Sequence, residues 1–380
     1  MEFLFGIILG AIAGVTADLL FRQKLLKLLL ICKRWINIKR GLIDPIALKP
    51  AQLVTNGNTK FNWISLLGTG EYLILHKYMK NDLIPEYISL PKDLDEIRKI
   101  ERNRLEKLEK ISNGEIWNGV RYSLTDWEIH HHDKVTEQLG LKCKFLLTDY
   151  AAFHSLNSNL DVKNLVNDPA GNPTTIRDKY YSTFNPEVPN KYLCHSFGIN
   201  LSVLSGVDNF ITFVQRNAKV AKGKKWFSIA MNEGMQYPND LDENNKPSFV
   251  KTAIRGLIEE LGINISQVGL NEKDIEFLNF GARFDENEYA ILGCIKLPLT
   301  FREIEHAFIN SAKDRGHETR HTLYYCNFTI PDIVNFVNSH SPWSHHGLAT
   351  VYYTMIRYWG YWEVKKELSI SGFIPEVLAN

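Results

Sequence analysis

The rhythm of apolar and polar positions changes several times along the chain, and each change predicts a different element. Residues 3–17 read FLFGIILGAIAGVTA without a charge, and Leu19, Leu20 and Phe21 continue the run past Asp18. This predicts one transmembrane helix over 1–21, close to the roughly 20 residues that match a hydrocarbon core of about 30 Å. Residues 22–38 then alternate Arg and Lys with Leu, Ile and Trp35, which predicts a basic juxtamembrane amphipathic segment over 22–43. From Lys92 to Ile111 the apolar residues Leu94, Ile97, Ile100, Leu105, Leu108 and Ile111 keep helical spacing, while acids and bases interleave on the other face. After Gly114 the texture turns to Gly, Trp, Tyr and β-branched residues, as in short strands and turns.

The stretch from Val203 to Ile263 is the most informative. Val203–Asn217 predicts a hairpin turning at Gly206-Val207-Asp208-Asn209, and residues 224–235 predict another strand that runs into Asn232-Glu233-Gly234. A polar loop leads to SFVKTAIRGLIEELGI, a helix with Val250, Ala253, Ile254, Leu257 and Leu261 as its buried stripe and Gly262 placed to end it. Near the carboxyl end, Leu348, Val351, Tyr352, Met355, Ile356 and Trp359 fit a closing helix.

Charge changes the picture mainly at the amino end. The chain of 380 residues carries a formal net charge of +1, yet Arg22, Lys24, Lys27, Lys33, Arg34, Lys39 and Arg40 follow one another without an acid. Basic residues stay on the cytoplasmic side of a bilayer, so a single-pass inner-membrane protein is expected, with its amino terminus outside and its body cytoplasmic. The remainder is mildly acidic, so no DNA or RNA polymer binding is implied. Gly6, Gly10 and Gly14 fall on one helix face, a surface on which two membrane helices approach closely, which points to a homo-oligomer. The five cysteines are far apart and read as free thiols of a reducing compartment.

Three motifs carry candidate chemistry. His130-His131-His132 reads as a solvent-exposed patch, because adjacent side chains do not converge on one ion. His317-Glu318-Thr319-Arg320-His321 matches H-E-x-x-H, but a zinc peptidase needs that motif on a helix, and here Gly316 and a strand-like run surround it. The third is Arg255-Gly256-Leu257-Ile258-Glu259-Glu260-Leu261-Gly262-Ile263, preceded by Glu233-Gly234. It resembles the Nudix box, Arg-Glu-apolar-x-Glu-Glu-x-Gly-apolar, at every position but 256.

That resemblance covers roughly residues 191–365 and implies an α/β fold, a Nudix-like α/β/α sandwich. The full expectation is a transmembrane helix (1–21), the juxtamembrane segment (22–43), an amino-terminal extension with the charged helix (44–190) and a Nudix-like domain (191–380). It implies that Glu259 and Glu260 would hold Mg, that Arg255 would pair with Glu259, and that Glu233, Gly234 and Glu318 would line the nucleotide pocket. Glycine cannot coordinate a metal, so the Mg site is weakened, with Glu288 or Glu318 as compensating acids. The anchor and the degraded box together resemble the transmembrane-Nudix effectors of CBASS anti-phage systems. They imply a sensor of a nucleotide or cyclic oligonucleotide that acts on the membrane. The alternative is an Mg-dependent hydrolase of a nucleoside diphosphate-linked compound, and a zinc peptidase is the distant third.

Overall fold

Period-two alternation, with β-branched and aromatic residues facing inward, builds most of the molecule. The computed structural model describes residues 52–54, 62–111, 118–131, 139–181, 185–217, 223–283, 285–313, 319–370 and 374–376. The expected anchor (1–21) and basic segment (22–43) lie outside the described residues, as do His132, His317 and Glu318. Among the described residues no helix is long and apolar enough to cross a membrane.

In chain order the first half supplies β1 (Ile64–Leu67), β2 (Met79–Tyr87), α1 (Lys92–Ile111), β3 (Val120–His131), β4 (Leu139–Asp149) and α2 (Tyr150–Leu156). The second half supplies β5 (Phe197–Ser205), β6 (Phe210–Arg216), β7 (Phe227–Ile229), β8 (Met231–Gly234) and α3 (Phe249–Leu261). There follow β9 (Ile275–Arg283), β10 (Glu288–Leu297), α4 (Phe301–Ser311), β11 (Thr319–Asn327), α5 (Ile330–Ser339), α6 (His345–Trp359) and α7 (Tyr361–Ile370).

The fold is mixed α/β. The main sheet runs β7-β6-β5-β10-β9-β1, with β8 also on β5 and β11 on the outer side of β6. The central pair β5–β10 is parallel and in register from Phe197↔Tyr289 to Ser205↔Leu297, and its neighbours are antiparallel. A smaller sheet, β2-β4-β3, comes wholly from the first half. Both halves belong to one compact unit, Lys49–Asn380, and β1 closes the edge of the main sheet on β9.

The main sheet buries both faces. On one, Phe197, Ile199 and Leu201 of β5 and Tyr289 and Ile291 of β10 join Phe249, Ala253, Leu257 and Leu261 of α3. On the other, Ala290, Leu292 and Cys294 of β10 join Leu348, Val351, Met355 and Ile356 of α6. Each large side chain buried here contributes about 1.5–3 kcal/mol.

Several expectations are corrected. The strand expected over 224–235 is two, β7 and β8, interrupted at Ala230. In α1 only Leu94 and Leu105 are buried, while Ile100 and Ile111 are exposed, so the helix touches the body along a narrower line than its pattern implied. His131 is exposed but His130 is not, because its ring lies against Gly140 on the paired strand. Cys143, Cys194 and Cys294 are free and buried, and Cys326 is free and half-buried.

One buried histidine couples the fold to pH. His195 contacts the Thr148 hydroxyl through Nδ1 at 2.8 Å and the Tyr192 carbonyl through Nε2 at 2.7 Å. Burial pushes its pKa down to about 4. The unfolded chain, with an ordinary histidine value, binds the proton more readily between pH 6.5 and 4, so stability falls as pH drops through that window. Urea unfolding at pH 5 is expected to show about 2 kcal/mol less stability from this group than at pH 7.5. A His195→Gln variant should lose that part of the slope, and an unchanged slope would remove His195 as its source.

Candidate functional site

Helix α3 begins where Ser248 accepts a hydrogen bond from the Lys251 N–H, and it ends at Gly262 in the left-handed conformation (φ 70°). A Cβ at Gly262 would also approach the Ala307 carbonyl to 2.6 Å, so glycine meets a conformational and a packing requirement there. These caps fix which residues of the box face β8.

Arg255 is the centre of the arrangement. Its Nε and Nη2 donate to the two carboxylate oxygens of Asp240 at 2.8 and 2.9 Å. Its Nη1 lies 2.8 Å from Glu259 and 3.0 Å from Glu233, and Nη2 also donates to the Gly234 carbonyl at 2.8 Å. Asp240 is fully buried and additionally accepts the Gln236 N–H at 2.7 Å. Burial alone would lower the Arg255 pKa, but the Asp240 hydrogen bonds and the neighbouring acids hold it above its ordinary value. One cation thus ties helix α3, strand β8 and the loop between them into a single unit.

The two box glutamates part company. Glu259 is partly exposed and shared between Arg255 and Lys313, whose ammonium is 3.9 Å away. Glu260 is buried and accepts the backbone N–H of Asn232 on β8 at 2.8 Å. Position 256, one turn before Glu260, faces the same strand. A Cβ there would meet the Glu233 Cβ at 2.8 Å and the Met231 Sδ at 2.9 Å, so the glycine permits α3 to press directly on β8. Among the described residues no group of three or more His, Cys, Asp or Glu converges as a metal site.

Of the expected site residues, Arg255, Glu259, Glu260, Glu233 and Gly234 come together. Glu288 does not join them. On β10 the odd positions face α3 and the even positions face α6, so Glu288 lies on the opposite side of the sheet. There it is 3.6 Å from both Arg283 and His346, and Arg283 also holds Glu286 at 2.6 Å and Asp285 at 2.8 Å. Hydrogen bonding to Arg283 outweighs burial at Asp285 and holds that carboxyl down at about 2. His321 belongs to β11, an extended strand, whereas the zinc-peptidase motif needs a helix.

Sequence reasoning missed Asp240. It stands in the loop PNDLDENNKP with no spacing that marks it, and only the folded chain brings it under Arg255. No family model matches this chain, and no curated protein matches it.

Proposed function

We propose that the chain is a Nudix-like, membrane-anchored nucleotide sensor whose box has become a structural element. The arrangement that carries this reading is Arg255 bound at once to Glu233, Asp240 and Glu259, with Gly256 packed on Glu233. Carboxylates committed to an internal cation are poorly placed to hold Mg, whereas the strand–loop–helix order of the box and its Arg255–Glu259 pair are kept. In this reading the α/β/α layering is a Nudix-like sandwich, the ligand is a cyclic oligonucleotide of a CBASS-type defence, and the output is an action on the membrane. Residues 1–21 would span the inner membrane, and the Gly6, Gly10 and Gly14 face would pair copies.

The test is calorimetric titration of the purified protein with cyclic di- and trinucleotides, with and without Mg, alongside leakage from liposomes that carry it. Saturable micromolar binding without turnover, independent of Mg, and leakage on ligand addition are expected. Mg-dependent turnover that vanishes on Glu260→Gln would replace the sensor with the diphosphate hydrolase.

A further inference from the structure

The face of the main sheet opposite α3 carries a second surface, and the box does not account for it. On β5, Phe197, Ile199 and Leu201 point to the α3 side, so Gly198, Asn200 and Ser202 point to the other. Gly198 pairs with Gly234 of β8 on one side and with Ala290 of β10 on the other, and Ala290 pairs with Gly281 of β9. Four adjacent strands therefore present nothing larger than a methyl group in one row.

Gly198 and Gly234 are partly exposed although strands flank Gly198 on both sides. A Cβ built at Gly198 meets only ordinary neighbours, the Asn200 Nδ2 at 3.4 Å and the Ala290 Cβ at 3.6 Å. Along this row Trp63 covers Gly281, Arg121 covers Gly234 and Ala290 is buried, so Gly198 is the position left partly open.

Two polar side chains here each carry a buried atom without a hydrogen-bond partner. Asn200 is 1% exposed, lies against Gly198, and its Oδ1 has no hydrogen-bond donor. A buried acceptor left unmatched is disfavoured and calls for a donor. Arg121 lies across Gly234 so closely that any Cβ there would collide with its Nη1. Its guanidinium is 5.0 Å from the Tyr150 ring and 5.9 Å from the Phe153 ring, and its buried Nε has no acceptor. Among the described residues no carboxylate pairs with it.

We infer that Arg121, Gly198 and Asn200 form a binding site for a nucleoside phosphate. Arg121 takes the phosphate, Gly198 lets the ligand approach the backbone, and Asn200 Oδ1 accepts a hydrogen bond from the base. A guanidinium without a counter-charge, held by aromatic rings, is suited to a phosphate oxygen pair. Gly234 and Asn200 are one strand and two residues apart, about 8 Å by strand spacing, which places the two contacts at opposite ends of one nucleotide. The site rests on the sensor reading for its ligand class, and it moves the contact surface to the sheet face opposite the box helix.

The experiment titrates the full-length protein with cyclic di-AMP, ADP and inorganic pyrophosphate, and repeats this for Arg121→Ala, Gly198→Val and Asn200→Leu, each checked by thermal melting. Arg121→Ala is expected to weaken every probe that binds by about 10- to 100-fold. Gly198→Val should weaken the nucleotides at least tenfold by filling that opening, and Asn200→Leu should weaken nucleotides but leave pyrophosphate unchanged. Wild-type binding that all three folded variants retain would overturn this site and leave the sensor reading standing. A wild-type protein that binds none of the probes would overturn both.

Discussion

Replacing Arg255 with methionine is expected to cost about 3–5 kcal/mol of unfolding free energy, the penalty for leaving buried acids without their cation. The reason lies in how little water reaches them. The Asp240 side chain has no exposure and that of Glu233 only 10%, and both lean on the one guanidinium. Arg255→Lys should recover part of the loss, since an ammonium keeps the charge but cannot reach both oxygens of Asp240 while serving Glu259 and the Gly234 carbonyl. Glu259→Gln should cost less than about 1 kcal/mol, because that carboxylate is partly solvated and Lys313 stands near it. Urea unfolding of the three variants gives the ranking. A midpoint for Arg255→Met equal to that of wild type would mean that the network is not what holds α3 to β8.

How far the sequence announced this arrangement depends on whether the determining force was local. The helix Phe249–Leu261 was legible because its stripe, its Ser248 cap and its Gly262 stop are all encoded within a few residues. The Arg255–Glu259 pair was legible for the same reason, as i,i+4 neighbours on one helix face. The hairpin of β5 and β6 was legible in its turn but not in its length: β5 starts at Phe197, before the apolar run that marked it. What decides that start is pairing with β8 and β10, and those partners come from later in the chain.

The row through Gly198 and Asp240 were hidden for a related reason. Gly234 was marked by the box, but Gly198, Ala290 and Gly281 are unremarkable small residues in sequence, and only the strand register lines them up with it. Arg121 was one basic residue among 44 until β3 brought it over Gly234. Glu288 was offered as a compensating acid without a face, because a strand's parity cannot be assigned before its register is known, and a shift of one residue reverses every side chain.

Gly256→Glu, the substitution that would complete the box, is expected to destabilise the protein and to bring no Mg-dependent turnover. The new Cβ alone would stand 2.8 Å from the Glu233 Cβ and 2.9 Å from the Met231 Sδ, and both residues are held in the packed strand β8. Overpacking of this kind costs about 1–3 kcal/mol, which exceeds the roughly 1 kcal/mol that a helix gains when a glycine is replaced. The added carboxylate would also enter beside Glu233, one of three acids that already share the single Arg255 cation. Gly256→Ala isolates the steric part, and Met231→Ala combined with Gly256→Glu relieves one of the two close contacts. Unfolding curves and a phosphate-release assay with Mg on this set separate the outcomes. A Gly256→Glu protein as stable as wild type that also hydrolyses a nucleoside diphosphate would mean that only a missing ligand separates this box from catalysis. A destabilised, inactive one, partly rescued by Met231→Ala, would mean that close packing of α3 on β8 has taken the place of the metal.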